Sequence, residues 1–197
     1  MILNNCVAFI MFRAFLILGG ICTIYGAGNG YYGNEGYSLF AFSDIPPPDD
    51  LEDIALFKPT HASEPFNEGL TKENAVNGIF NDNMYESKLE LMHPWWMVDL
   101  MEVRTIHQVQ IFTRQGCCSH RLHDLEIRIG QGLVLTGDLS SYTLMSTYKG
   151  PYDVSQGHVI CSNLRGIAGR FLAIKKVSSD VDHLQLVEVR VYVAKKN

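Results

Sequence analysis

A chain of 197 residues accommodates one domain of ordinary size with leader and linker segments to spare. Hydrophobic residues make up 47% and charged residues 19%, a balance that excludes disorder of the whole chain. The net charge of -5, with 16 Lys and Arg and no basic run beyond pairs such as Lys175-Lys176 and Lys195-Lys196, excludes general attraction to nucleic acid.

In chain order, residues 1–28 come first. Arg13 precedes the apolar stretch Ala14 to Tyr25, which runs into Gly26, Ala27 and Gly28, the arrangement of a secretory signal peptide that delivers a secreted, extracellular product. An earlier apolar run, Val7 to Met11, makes Met11 a second candidate initiator. The stretch after Arg13 falls short of the ~20 residues of a spanning helix, so cleavage is favoured over an anchor. Membrane attachment would follow only from an uncleaved segment. Residues 29–50 are rich in Gly, Tyr, Asn and Ser and close on Pro46-Pro47-Pro48, an extended linker. The folded unit is thus predicted over 51–197.

Beyond Leu51 the pattern is one of short alternating runs. Thr105 to Phe112 sets Val109 and Ile111 against Gln108 and Gln110, and Leu125, Ile127 and Ile129 alternate with Glu126 and Arg128. Phe171 to Ile174 is apolar on both sides, and Val187, Val189, Val191 and Val193 alternate with Glu188, Arg190 and Tyr192. Turn chemistry separates the runs, as at Asn77-Gly78, Thr136-Gly137-Asp138 and Lys149-Gly150-Pro151. Strands without intervening helices predict an all-β fold, an antiparallel β-sandwich.

Two stretches carry chemistry. In Pro94-Trp95-Trp96-Met97-Val98-Asp99-Leu100, adjacent tryptophans on a strand point to opposite faces, and both suit packing in the core. In Thr113 to Leu122, Arg114 and Arg121 stand at the two ends of a loop, where rigid forks of donors could clamp neighbouring oxygens. Loop arginines also suit a solvated or salt-bridged surface. Cys117 and Cys118 between them are adjacent, and as residues alone they admit free thiols, links elsewhere or a bond to each other. His107, His120, His123, Asp124 and Asp182-His183 form no recognised catalytic or metal spacing, so an enzyme is not expected.

Taken in order, Lys58-Pro59-Thr60, Asn74-Ala75-Val76-Asn77-Gly78, Pro94 to Leu100 and Arg114 to Leu122 resemble the F-type lectins, or fucolectins. These are a branch of the discoidin-like, galactose-binding-like jelly-roll sandwiches. Leu125 to Gly130 and Leu186 to Val189 extend the likeness over about residues 52 to 194. The resemblance implies binding of terminal fucose on glycans or glycoproteins without chemical change. It assigns Arg114 and Arg121 to the sugar and a vicinal Cys117-Cys118 disulfide to its apolar edge, with Tyr85 and His93 as further candidate contacts. It further implies a structural Ca2+ at Asn74, Asn77 and Glu188. Multivalency of the kind lectins use would come from a homo-oligomer.

The departures are specific. The family histidine upstream of the double tryptophan has no counterpart: an ungapped count reaches Ser87, and the loop's histidine is His93. Gly116 replaces an acid expected to orient Arg114, and Asn77 replaces an aspartate at the calcium. A family cysteine pair is lost together, one partner matching Val187, and Cys161 lacks its mate, leaving it buried and free or linked between chains. With the loop altered, a discoidin-type adhesion module binding protein or lipid is the rival function.

Overall fold

The computed structural model describes residues 21–25 and 49–196. The linker over 29–48 and the leader apart from 21–25 lie outside the described residues.

Ten strands are defined: β1 (Ile21–Tyr25), β2 (Leu51–Asp53), β3 (Thr60–Ala62), β4 (Tyr85–Glu86), β5 (Trp95–Phe112), β6 (Leu125–Gly130), β7 (Thr143–Tyr148), β8 (His158–Lys176), β9 (Gln185–Leu186) and β10 (Glu188–Ala194). The helical turns among the described residues are single 3-10 turns, such as Lys72–Val76 and Ser119–Arg121. The strands lie in the order β2-β10-β5-β8-β6-β7, with β1 beside β8 and β3 beside β5, while β4 and β9 form a separate small ladder. Every ladder is antiparallel. The product is the antiparallel β-sandwich that the alternating runs predict.

The long strands β5 and β8 organise it. Their register jumps between Asp99 and Arg104, where an exposed excursion through Met101 and Val103 interrupts the ladder and the strand can bend. Asp99 fixes that corner by accepting the Met101 N–H at 2.8 Å and both arms of Arg170 at 2.7 Å. Period two along β5 sends Trp96 and Val98 into the main core with Val109, Ile127, Leu172 and Val191. It sends Trp95 and Met97 to the opposite side, against Leu139, Tyr142 and Phe171. Gly137 sits at φ +74, and a Cβ there would stand 2.5 Å from the Trp95 ring, so this turn needs glycine twice over.

Two cysteine readings change. Cys161 is buried and disulfide-bonded, which removes the free-thiol alternative. The residue opposite it in the ladder is Cys22, because Ile21–Tyr25, read from sequence as the end of a leader, runs antiparallel along the start of β8. Where the family cysteine pair is lost, Val187 packs with Met84 and Phe112 in a small apolar cluster.

Candidate functional site

The loop joining β5 to β6 carries both site arginines. Arg114 follows two residues after the strand end at Phe112, and Arg121 closes the turn Ser119–Arg121, so the loop's own geometry fixes their separation. Their side chains are 26% and 29% exposed. Each faces carboxylates at ion-pair distance: Arg114 Nε lies 3.3 Å from Asp82 Oδ1, Arg121 Nη1 3.5 Å from Glu86 Oε1, and Arg121 Nε 3.6 Å from Asp182 Oδ1. Charge-assisted N–H···O bonds run about 2.7–2.9 Å, so these contacts balance charge without well-formed hydrogen bonds. Arg114 Nε is in fact buried with no hydrogen-bond partner. The structural arginines behave otherwise. Arg170 spends its fork on Asp99 at 2.7 Å twice, and Arg128 donates to Glu126 at 2.7 Å and to the Tyr142 carbonyl at 3.0 Å. Among the described residues Arg114 and Arg121 make no short side-chain hydrogen bond, in contrast to Arg128 and Arg170.

Beneath Arg121 lies a polar floor. Lys176 is wholly buried, and its Nζ donates to the Arg121 carbonyl at 2.7 Å, to Asp182 Oδ2 at 2.9 Å and to the His183 carbonyl at 3.1 Å. Burial pulls its pKa down while Asp182 resists. Burial pushes the Asp182 carboxyl up, but Lys176, the His183 N–H and His123 together hold it below the usual range. Glu86, nearly buried, accepts from Gln185 Nε2 at 2.9 Å and lies 3.3 Å from His183 Nδ1. His183 in turn meets the edge of Phe66 at 5.4 Å.

Between the arginines, Cys117 is exposed and Cys118 half-exposed. They stand as two thiols with Sγ atoms 2.7 Å apart, Cys118 donating to Cys117, so the sulfurs are in reach of one another. Cys118 adopts φ +70, which turns the pair outward, and its thiol is held above its ordinary pKa, chiefly by the contact with Cys117.

Arg114, Arg121, Cys117 and Cys118 therefore share one loop surface, whereas Tyr85 and His93 do not join it. Tyr85 is buried in the main core and donates its hydroxyl to the Ser63 carbonyl at 3.2 Å, with burial raising its pKa. His93 is exposed at φ +55 in the turn entering β5 and has no contact with either arginine among the described residues. Ser87 is buried, its hydroxyl accepting the Leu184 N–H at 2.8 Å and its carbonyl meeting His183 Nδ1 at 2.6 Å. The acids that orient the arginines, Asp82, Glu86 and Asp182, escaped sequence reading. The Asp182-His183 pair was the available signal, weighed there only as an enzyme motif.

The three residues assigned to calcium are near one another in part and differ in fitness. Glu188 is buried, its pKa is pushed up to about 8 by burial with Asp53 adding repulsion, and both carboxylate oxygens face the Gly78 N–H, at 3.3 and 3.2 Å. Asn77 Oδ1 is committed to the Ile79 N–H at 2.8 Å, and Asn74 turns its amide nitrogen toward the Gly69 carbonyl, Asn83 Oδ1 and the Met84 carbonyl at 2.8–3.2 Å. Among the described residues no group of three or more His, Cys, Asp or Glu could hold a metal ion. Of the three, Glu188 alone brings a carboxylate, so a hard cation there would need loop carbonyl oxygens for its other ligands.

Residues 74–171 match the family described as NedA-like, galactose-binding domain. The chain is 40% identical over 68 residues to a fucolectin of Anguilla anguilla, covering 32% of this chain and 43% of that protein. It is 31% identical over 101 residues to a pentraxin fusion protein of Xenopus laevis, covering 51% of this chain and 23% of that one. It thus spans less than half the length of either relative. In three dimensions it is similar to a fucose binding module of Streptococcus pneumoniae, with a TM-score of 0.60 and 22% identity over 73% of this chain and 99% of the other.

Proposed function

We propose that this chain, whose residues 74–171 match the galactose-binding domain family and which is similar to fucolectins, is a secreted F-type lectin that recognises terminal fucose on glycans without altering it. The observation that carries this reading is the pair of arginines with balanced charge and, among the described residues, no short side-chain hydrogen bond, flanking an exposed sulfur ledge. A sugar offers vicinal hydroxyl and ring oxygens that such forks can engage, and an apolar ring edge that a ledge can support. A Cys117–Cys118 disulfide would stiffen the ledge, and Glu188, which already accepts the Gly78 N–H from β10, would supply the carboxylate for a structural calcium.

Hydrogen bonds to a charged group contribute ~1.5–3 kcal/mol each, so losing both arginines should cut affinity at least about a hundredfold. The test is a glycan array, with and without calcium, run on the wild type and on the Arg114→Ala, Arg121→Ala double variant. Selective binding to terminal fucose that disappears in the variant is the expected result. Silence of the wild type on every glycan would overturn the lectin reading in favour of a protein- or lipid-binding module.

A further inference from the structure

We propose that Glu86 is the specificity-determining residue of the arginine loop and that it selects neutral, hydroxyl-rich ligands over anionic ones. The inference rests on the Arg114–Arg121 loop being the ligand site, and it concerns which ligands that site refuses.

The argument begins with charge. Three cations meet at the site, Arg114, Arg121 and Lys176, and three carboxylates face them, Asp82, Glu86 and Asp182. An incoming sulfate or carboxylate finds no surplus positive charge and approaches three acids. Burial decides which acid matters most: the Asp82 side chain is 72% exposed and screened by water, whereas that of Glu86 is 8% exposed. Asp182 is already claimed by Lys176 at 2.9 Å, which leaves Glu86 as the principal counter-charge to Arg121.

Distance supplies the second half. At 3.5 Å Glu86 neutralises Arg121 without consuming its N–H groups in short hydrogen bonds, so the donors stay available to a neutral oxygen. Gln185, His183 and Arg121 all meet the same oxygen of Glu86, Oε1. Among the described residues Oε2 is thereby left to accept from a ligand hydroxyl. A donor fork beside an acceptor suits a polyol, which both gives and takes hydrogen bonds. It repels an anion, which only takes them. Gln185 holds the carboxylate in place from β9 by donating to it at 2.9 Å, so the selection is built into the β4–β9 ladder, where Glu86 pairs with Gln185.

The test measures binding of two probes, α-L-fucosyl-albumin and the same conjugate carrying 3-O-sulfated fucose, to the full chain across a range of salt concentrations. The wild type should prefer the neutral probe at least tenfold with little salt dependence. Glu86→Gln keeps the size and the amide contacts but removes the charge. It should strengthen the sulfated probe about tenfold, make that binding salt-sensitive, and weaken the neutral probe only a few-fold. A merely structural role for Glu86 would lower both probes together. Asp82→Asn, at an exposed position, should shift the ratio in the same direction by a smaller factor and serves if Glu86→Gln does not fold. A wild type that binds both probes equally, or a ratio unchanged within twofold in both variants, overturns this inference alone. Binding of neither probe by the wild type overturns the lectin reading and this inference with it.

Discussion

Glu188 offers a direct measure of whether the loop at Gly78 is designed around a cation. Its carboxyl is pushed up to about 8 from an ordinary value of 4.5, because burial disfavours its charge and Asp53 repels it. An acid whose folded pKa is raised stabilises the fold fully below the unfolded value and loses that contribution as pH climbs to the folded one. The window therefore runs from about pH 4.5 to about 8. One pKa unit corresponds to about 1.36 kcal/mol, so a shift of this size is worth ~2–5 kcal/mol once relaxation of the site is allowed for. For a domain of this size that is roughly 4–20 °C in melting temperature. Glu188→Gln, which cannot ionise, should melt near the wild type at pH 5 and above it at pH 8. Added calcium should close the gap at pH 8 by raising the wild type alone, since a bound cation favours the charged carboxylate. Thermal melts at pH 5, 6.5 and 8, with calcium and with chelator, read this out. A wild-type-minus-variant difference that does not change with pH would refute the reasoning, and calcium-independent melting at pH 8 would remove the cation from the site.

Two further outcomes follow from buried polar groups. Lys176→Met leaves Asp182 without its closest cation and releases the Arg121 carbonyl, so equilibrium unfolding should show a loss of about 3–5 kcal/mol, with sugar binding weakened in whatever folded fraction remains. His158 is buried against Phe112, both ring nitrogens lack hydrogen-bond partners, and burial, helped by Arg190, lowers its pKa to about 4. Because the unfolded chain binds that proton more readily, His158 destabilises the fold as pH falls from its ordinary 6.5 toward 4. His158→Phe should flatten the acid limb of the melting curve over that window, and an unchanged acid limb would count against a neutral buried ring.

What the sequence disclosed and what it concealed separate along physical lines. Period-two alternation reports one-sided burial, so Leu125, Ile127 and Ile129 of β6 and the valines of β10 were legible, and they are buried as expected. Burial on both faces erases that signal. Trp95 to Leu100 packs between two apolar clusters, which is why β5 begins ten residues before the run from Thr105 that alternation picks out. The same limit hid Lys176: beside Lys175 it looked like a surface basic pair, yet strand parity sends Lys175 to the Gly137 carbonyl and Lys176 into the floor of the site. At β4 both residues are buried: Tyr85, a candidate sugar contact, packs into the main core, while Glu86 meets Arg121.

Glu86 and Asp182 were beyond any pattern for a different reason. They are brought together by the pairing of β4 with β9, a ladder of two residues on each side, too short to leave a periodicity and formed between segments about a hundred positions apart. The arginine loop was legible because its chemistry is local, with two guanidinium groups and two thiols within eight consecutive positions. The acids that tune it are non-local. Where the loop itself carries Gly116, Asp82, Glu86 and Asp182 from distant segments balance the charge around the arginines. A loop can thus keep its motif while the charge around it is set by residues that no reading of the motif would include.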